Sequence, residues 1–295
     1  MFSRLVGDFP SNLLIKQKDV AEVDRIIERL YDVYSADEDP WGMRMDRVAS
    51  SFRQVWPLYK YFFQVRVIGA ENVVDAPSLV VSNHSGQIAI DGMLLTQAFA
   101  AAVSPPRVIR AMVERFFVGL PFLGTWAAES GAVLGDRSNC IELLKRGHSV
   151  LVFPEGVRGV SKSSSEYYKI QPFSRGFLRM ALQSRCPLLP VAVVGAEEFY
   201  PYVYQFKRVA KMLGLPALPV TPLFPLLGPL GAIPLPSPVD IHIGEPYYLP
   251  DSLSPDAPDK QIDEHVYEIE NTIRRMIKRG LRKRRPFWFN KQVKL

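Results

Sequence analysis

Cysteine is almost missing from this chain: there are two in 295 residues, Cys140 and Cys186, with no metal-ligand spacing. A disulfide framework and a cysteine-built zinc site are thereby excluded, and such usage fits a reducing compartment. A single Cys140–Cys186 bridge stays open, although nothing demands it. Histidine is scarce too. Of His84, His148, His242 and His265, none pairs with another at ligand spacing, so no metal is expected. An uninterrupted apolar run is also lacking. The longest charge-free stretch, Met212 to Val239, is long enough to span a bilayer but holds eight prolines, which a straight membrane helix does not accept. The first twenty residues carry Arg4, Asp8, Lys16, Lys18 and Asp19 around one short apolar run, Leu13-Leu14-Ile15. No secretory signal is expected, and the chain reads as cytoplasmic. Acid is absent from residues 274–295, which hold ten Lys or Arg. Without those ten, 26 basic face 30 acidic side chains, so the formal +6 becomes −4. The basicity belongs to the tail.

What is present is a core-forming composition, 47% hydrophobic, in an alternating pattern. Val20, Val23, Ile27, Leu30 and Tyr34 predict a first helix over 19–34. A second amphipathic, aromatic-rich segment over 48–62 is kinked by Pro57 and is expected to pack on a sheet rather than touch a membrane. Strands are predicted at 65–68, 79–82, 108–113, 132–134, 149–153, 188–194 and 239–243. Helices are predicted at 88–101, 136–147 and 175–184, with helical turns around 115–130. Continuous apolar strands such as Val150-Leu-Val-Phe153 predict burial on both faces. The expected fold is α/β, a three-layer αβα sandwich around a mixed, mostly buried sheet, with N-terminal helices and a basic C-terminal helix. Three regions are read: a helical segment at 1–63, the main domain at 64–250, and a terminal helix with tail at 251–295. The loop 156–169 reads either as a lid or as plain surface.

The most informative segment runs Val80-Val-Ser-Asn-His-Ser-Gly-Gln-Ile-Ala-Ile-Asp-Gly92. A strand that stops at His84, followed by a helix that returns Asp91, places an imidazole and a carboxylate at one sheet edge. That is the arrangement of a general base held in one tautomer by an acid, or of a structural hydrogen bond. Further blocks follow in order: Gly131-Ala-Val-Leu-Gly-Asp-Arg137, Phe153-Pro-Glu-Gly-Val-Arg158 and Leu189-Pro-Val-Ala-Val-Val194, with Phe173-Ser-Arg-Gly-Phe177 before the last. Over residues 60–250 these resemble the four motifs of the PlsC-like glycerolipid acyltransferase superfamily. Three departures are visible. Six residues rather than four separate His84 from Asp91, Leu134-Gly135 stands where a bulky Phe-Ile pair is common, and Val157 replaces a usual threonine.

The resemblance implies an O-acyltransferase that moves a fatty acyl group from a thioester, acyl-CoA or acyl-ACP, to a hydroxyl of a glycerolipid-type acceptor. No other cofactor is implied. His84 would be the base and Asp91 its orienting partner. Arg137, Glu155, Gly156 and Arg158 would form the acceptor site, with Glu155 either binding hydroxyls or bracing Arg137 or Arg158. Asn83, Gly131, Phe153, Pro154, Pro190 and Val191 would line the wall. A surface salt bridge is the blander role for Arg137. Ser85 lacks the elbow of a nucleophilic serine. The alternatives are a non-enzymatic lipid-binding or membrane-scaffolding protein, or an acyl (thio)ester hydrolase. On the terminal helix, Arg274, Arg275, Lys278, Arg279 and Arg282 oppose an apolar stripe, and Arg284-Arg-Pro-Phe-Trp-Phe289 adds aromatics. Such a tail fits an anionic membrane surface on the inner face of a membrane, or a helix docked on the body. No nucleic-acid module accompanies the charge.

Overall fold

The computed structural model describes residues 15–34, 39–86, 89–119, 122–206, 209, 212, 219–221, 224 and 226–285. Its strands are β1 (Arg66–Ile68), β2 (Leu79–Ser82), β3 (Arg110–Val113), β4 (Val133–Leu134), β5 (Val150–Val152), β6 (Leu188–Val194), β7 (Tyr204–Gln205), β8 (Pro219–Val220) and β9 (Asp240–Ile243). Seven of them form one sheet in the order β1-β9-β6-β2-β5-β3-β4, while β7 and β8 form a separate hairpin that the sequence did not announce. Every pairing in the large sheet is parallel except β6 with β9. The helices are α1 (Val20–Val33), α2 (Met45–Pro57), α3 (Ile90–Ala102), α4 (Arg115–Val118), α5 (Leu123–Glu129), α6 (Arg137–Lys145), α7 (Val157–Val160), α8 (Gly176–Ser184) and α9 (Asp259–Arg282).

Period-two alternation splits the strand residues between two cores. Val80, Leu151, Leu189, Val191 and Val193 pack with α1, α2 and α3 on one face. Leu79, Val81, Val150, Val152, Leu188, Ala192 and Val194 pack with α6, α8 and α9 on the other. These are the three expected layers. Phe52, Trp56, Tyr59 and Phe63 are buried in the first core, so most of the aromatic segment packs on the sheet. Past Pro57 the helix continues as a π-turn over Leu58–Phe62, closed by Phe63 N–H on Leu58 O (2.8 Å). β3 starts two residues later than expected. Val108 N–H donates to Tyr34 Oη (3.0 Å), which takes it out of the ladder.

Strand order also locates a cleft. From β2 the chain crosses by α3 to β3, beyond β5; from β5 it crosses by α8 to β6, beyond β2. The connections of these adjacent parallel strands leave in opposite directions over opposite faces. Their carboxyl ends therefore part at a topological switch point, where open α/β sheets bind ligands.

Candidate active site

His84 stands at that point. Asn83 ends β2 with its side chain, Nδ2 donating to Val193 O (3.1 Å) and Oδ1 accepting Val193 N–H (2.8 Å). The amide imitates one further rung of the ladder to β6. Asn83 thus clamps the strand end, which corrects its expected place in the site wall. The next residue is free of the ladder, and its ring turns to α3. His84 Nδ1 lies 2.8 Å from Asp91 Oδ2, which also accepts Ser85 N–H (2.7 Å), while Oδ1 accepts Gly92 N–H (2.8 Å). Asp91 is buried in the first turn of α3, where the helix dipole favours a carboxylate. Bonded to an acceptor, Nδ1 carries the proton, and Nε2 keeps its lone pair with no partner among the described residues. Phe153 stacks on the imidazole, with centroids 3.9 Å apart and planes 12° apart. Beneath it, a Cβ on Gly159 would fall 2.6 Å from His84 Cβ.

The backbone of His84 is held by charge. Glu155 Oε1 accepts its N–H (2.9 Å), and Lys162 Nζ donates to its carbonyl (3.3 Å). Glu155 Oε2 accepts Gln171 N–H (2.7 Å) and lies 3.1 Å from Lys162 Nζ, which is also 3.1 Å from Glu197 Oε1. Both oxygens of Glu155 face inward, with neither Arg137 nor Arg158 beside them. This corrects the expectation of an acceptor contact there. The loop 156–169 is correspondingly pinned by a lysine only 3% exposed. Burial pushes the Glu197 carboxyl up to about 7, while the two carboxylates outweigh burial and hold Lys162 above its usual value.

An acyltransferase family model matches residues 64–194, from just before β1 to the end of β6. A Mycobacterium tuberculosis protein, itself uncharacterised, is 35% identical over 269 residues, 89% of this chain and 74% of its own length. The 1-acyl-sn-glycerol-3-phosphate acyltransferase of Saccharomyces cerevisiae is 29% identical over 140 residues, 44% of this chain and 42% of that one. The chain belongs to the PlsC-like acyltransferase superfamily. Its fold is that of the crystal structure of PlsC, the 1-acyl-sn-glycerophosphate acyltransferase from Thermotoga maritima. The two match over 97% of this chain and 98% of that one, with a TM-score of 0.50 and 18% identity.

In this PlsC-like acyltransferase the other expected site residues divide. Arg137 opens α6 behind the N-cap Asp136, exposed and without an ion pair among the described residues. It lies at the carboxyl edge of β4, three strand spacings of ~4.8 Å from β2. Gly156 has φ +57° and ψ −148°, a conformation open to glycine, and turns the chain from β5 into α7. Arg158 is exposed and donates to Pro172 O (2.8 Å). Pro154 is buried, with its carbonyl accepting Ser174 N–H (3.1 Å). Three wall assignments are corrected. Pro190 and Val191 pair with Val81 and Ser82 inside the sheet, and Gly131 sits at the opposite end, where its carbonyl accepts Arg110 Nε–H (2.8 Å). Gly159, Lys162 and Glu197 were not foreseen. A lone lysine in a serine-rich loop carries the same sequence signal as any solvated lysine.

Competing chemistry finds little footing. Cys140 and Cys186 are free thiols, pushed by burial up to about 12 and about 11, so neither offers a thiolate. Burial likewise lowers His148 and His242. Among the described residues no three His, Cys, Asp or Glu side chains converge as metal ligands, and no helix is long and apolar enough to cross a membrane.

Proposed function

We propose that the chain transfers a fatty acyl group from an acyl thioester, acyl-CoA or acyl-ACP, to a hydroxyl of a glycerolipid-type acceptor. The observation that carries this reading is a histidine with one nitrogen fixed on a buried carboxylate and the other, Nε2, without a partner among the described residues. Nε2 takes the acceptor hydroxyl proton as the oxygen attacks the thioester carbonyl. A C–O bond forms, the tetrahedral intermediate collapses with loss of the C–S bond, and the imidazolium returns its proton to the thiolate. Asp91 stabilises the imidazolium in between. No acyl-enzyme is needed. Arg137 is the cation for an acceptor phosphate, because its guanidinium is exposed, permanently charged and without an ion pair among the described residues. Gly156 and Arg158 border the acceptor path at the end of β5.

The acceptor is a membrane lipid in this reading, and an anionic bilayer surface is the partner. Arg275, Lys278, Arg279 and Arg282 are exposed on the last turns of α9, as is Lys283 just after it. Arg284 and Arg285 are committed elsewhere: the first forms a two-pronged pair with Glu198 (2.8 and 2.7 Å), the second binds Asp240 (2.8 Å). Phe287, Trp288, Phe289, Lys291 and Lys294 lie outside the described residues. The helix end is therefore docked, and the anchor is confined to the exposed cations of α9 and the residues beyond Arg285.

Lipid mass spectrometry tests the function. Full-length protein incubated with mixed acyl-CoAs and with phosphorylated or neutral acceptors yields an acylated product. His84→Ala lowers its rate by ~10²–10⁴-fold, as expected for loss of a general base. Arg137→Ala raises KM for the phosphorylated acceptor by about tenfold or more, the loss of a charge-assisted contact of ~1.5–3 kcal/mol. Thioester consumption without any acceptor product would make the protein a hydrolase, and wild-type turnover by His84→Ala would remove the dyad from the chemistry.

A further inference from the structure

His84 is unusual in where its backbone bonds go. Its N–H and its C=O both leave the sheet ladder, and each is taken by a buried charged side chain, Glu155 and Lys162. Lys162 follows α7, Glu155 follows β5, and Glu197 lies in the 3₁₀ turn Ala196–Phe199 after β6. β6, β2 and β5 are neighbours in the sheet, so one ammonium ties together the ends of three adjacent strands around the histidine. The three side chains are 3%, 0% and 2% exposed.

Stability alone gives weak grounds for such a group. Taking an ammonium and two carboxylates out of water costs several kcal/mol per ion, and well-packed apolar side chains often serve a fold as well. What apolar side chains lack is a fixed direction toward a peptide group. Asp91 sets the rotation of the imidazole, but it acts on the ring from α3. The position of the Cα that carries the ring depends on what grips the peptide on either side, and that grip is Glu155 on one side and Lys162 on the other.

We propose that Lys162 is a positioning residue for the general base: it holds the His84 peptide in place against Asp91, and Glu155 and Glu197 hold Lys162. The proposal rests on the acyl-transfer reading for its kinetic consequence but not for its geometric one. A misplacement of about 1 Å in a reacting group costs up to ~10²-fold in rate without weakening binding. Lys162 therefore acts on kcat rather than on KM.

The test compares full-length wild type with Lys162→Met, Lys162→Arg and the double variant Lys162→Met/Glu197→Gln, which removes a buried negative charge along with the cation. Two readouts are taken. Steady-state kinetics use palmitoyl-CoA and lysophosphatidate. Nitrogen-15 NMR follows the His84 imidazole, assigned as the signal missing from His84→Ala. In Lys162→Met, kcat falls by ~10- to 100-fold with both KM values within about threefold. The hydrogen-bonded Nδ1–H signal of His84 weakens or splits, and arginine restores part of both. An unchanged His84 signal in a folded methionine variant overturns the proposal, as does wild-type kcat. If Lys162→Met does not fold, the double variant is read in the same way. Failure of both to fold makes the lysine a structural residue, which also overturns the proposal. Should wild type show no transfer, the acyl-transfer reading fails by itself, while the NMR arm still decides the role of Lys162.

Discussion

At the scale of single residues, the site is governed by how little room surrounds His84. Phe153 covers one face of the imidazole, Asp91 fixes Nδ1, and Gly159 passes so close that a methyl group would overlap His84 Cβ at 2.6 Å and Glu155 Cβ at 3.0 Å. These neighbours are stiff. Glu155 is tied at both oxygens and His84 at both backbone groups, so neither yields cheaply. Gly159→Ala is thus expected to destabilise the fold by ~1–3 kcal/mol through overpacking. It is also expected to lower kcat by ~10–100-fold, because the displaced group is the base itself. Urea unfolding together with kcat measures both. A variant that keeps wild-type kcat would show that the imidazole tolerates movement and is not held in a reactive pose. The phenylalanine before Pro154 is legible in the sequence as part of a motif. Its stacking on the histidine is not, since nothing in the order of residues says which ring faces which.

At the scale of elements, the strands were legible because both faces of the sheet are buried, which leaves runs such as Leu188–Val194 uniformly apolar. The dyad was legible because His84 and Asp91 come from one strand–helix unit. The charge triad was not, since Glu197 reaches Glu155 and Lys162 only through strand order, which sets β6 beside β2 and β2 beside β5. Val191 illustrates the converse: its motif reads as site, but the register with Ser82 places it in the core. The triad also has a consequence for stability. The Glu197 carboxyl titrates higher in the folded chain, at about 7, than in an unfolded one, near 4.5. Between those values the native state binds the extra proton. The stability this group contributes is complete below its unfolded pKa and is lost as pH rises through about 7. Glu197→Gln removes that dependence. The half-buried histidines His148 and His242, which burial lowers, act in the opposite direction at low pH, so the informative quantity is the wild type minus variant difference. Urea unfolding from pH 5 to 8 should show wild type losing stability relative to Glu197→Gln as pH rises. Parallel curves would mean that Glu197 stays ionised throughout.

At the scale of the whole molecule, sheet direction gathers the functional parts on one side. The carboxyl ends of β2, β5 and β4 carry His84, Gly156 and Arg137, and α9 ends beside Gly195, just past the carboxyl end of β6, where Arg284 meets Glu198. The end of α9 and the proposed general base therefore share a sheet edge. A lipid acceptor lying in a bilayer that touches those cations would meet the cleft without crossing the molecule. A cut before Leu281 would remove Arg284 and Arg285, which bind Glu198, Ser237 and Asp240. The informative truncation removes 286–295 alone, taking Phe287, Trp288, Phe289, Lys291 and Lys294 and sparing every described contact. At ~1 kcal/mol for each lysine near an anionic surface, with three aromatics besides, partition onto phosphatidylserine-containing vesicles should weaken by at least ~10-fold. Thermal stability should be unchanged. Binding of the full chain should fall as salt rises, since the exposed cations of α9 are screened over about 10 Å at 0.1 M. Turnover of a short-chain, water-soluble acceptor should survive truncation, because the base and its supports are intact. Equal vesicle binding by the two forms would place the whole membrane contact on the folded body and leave the tail without that role.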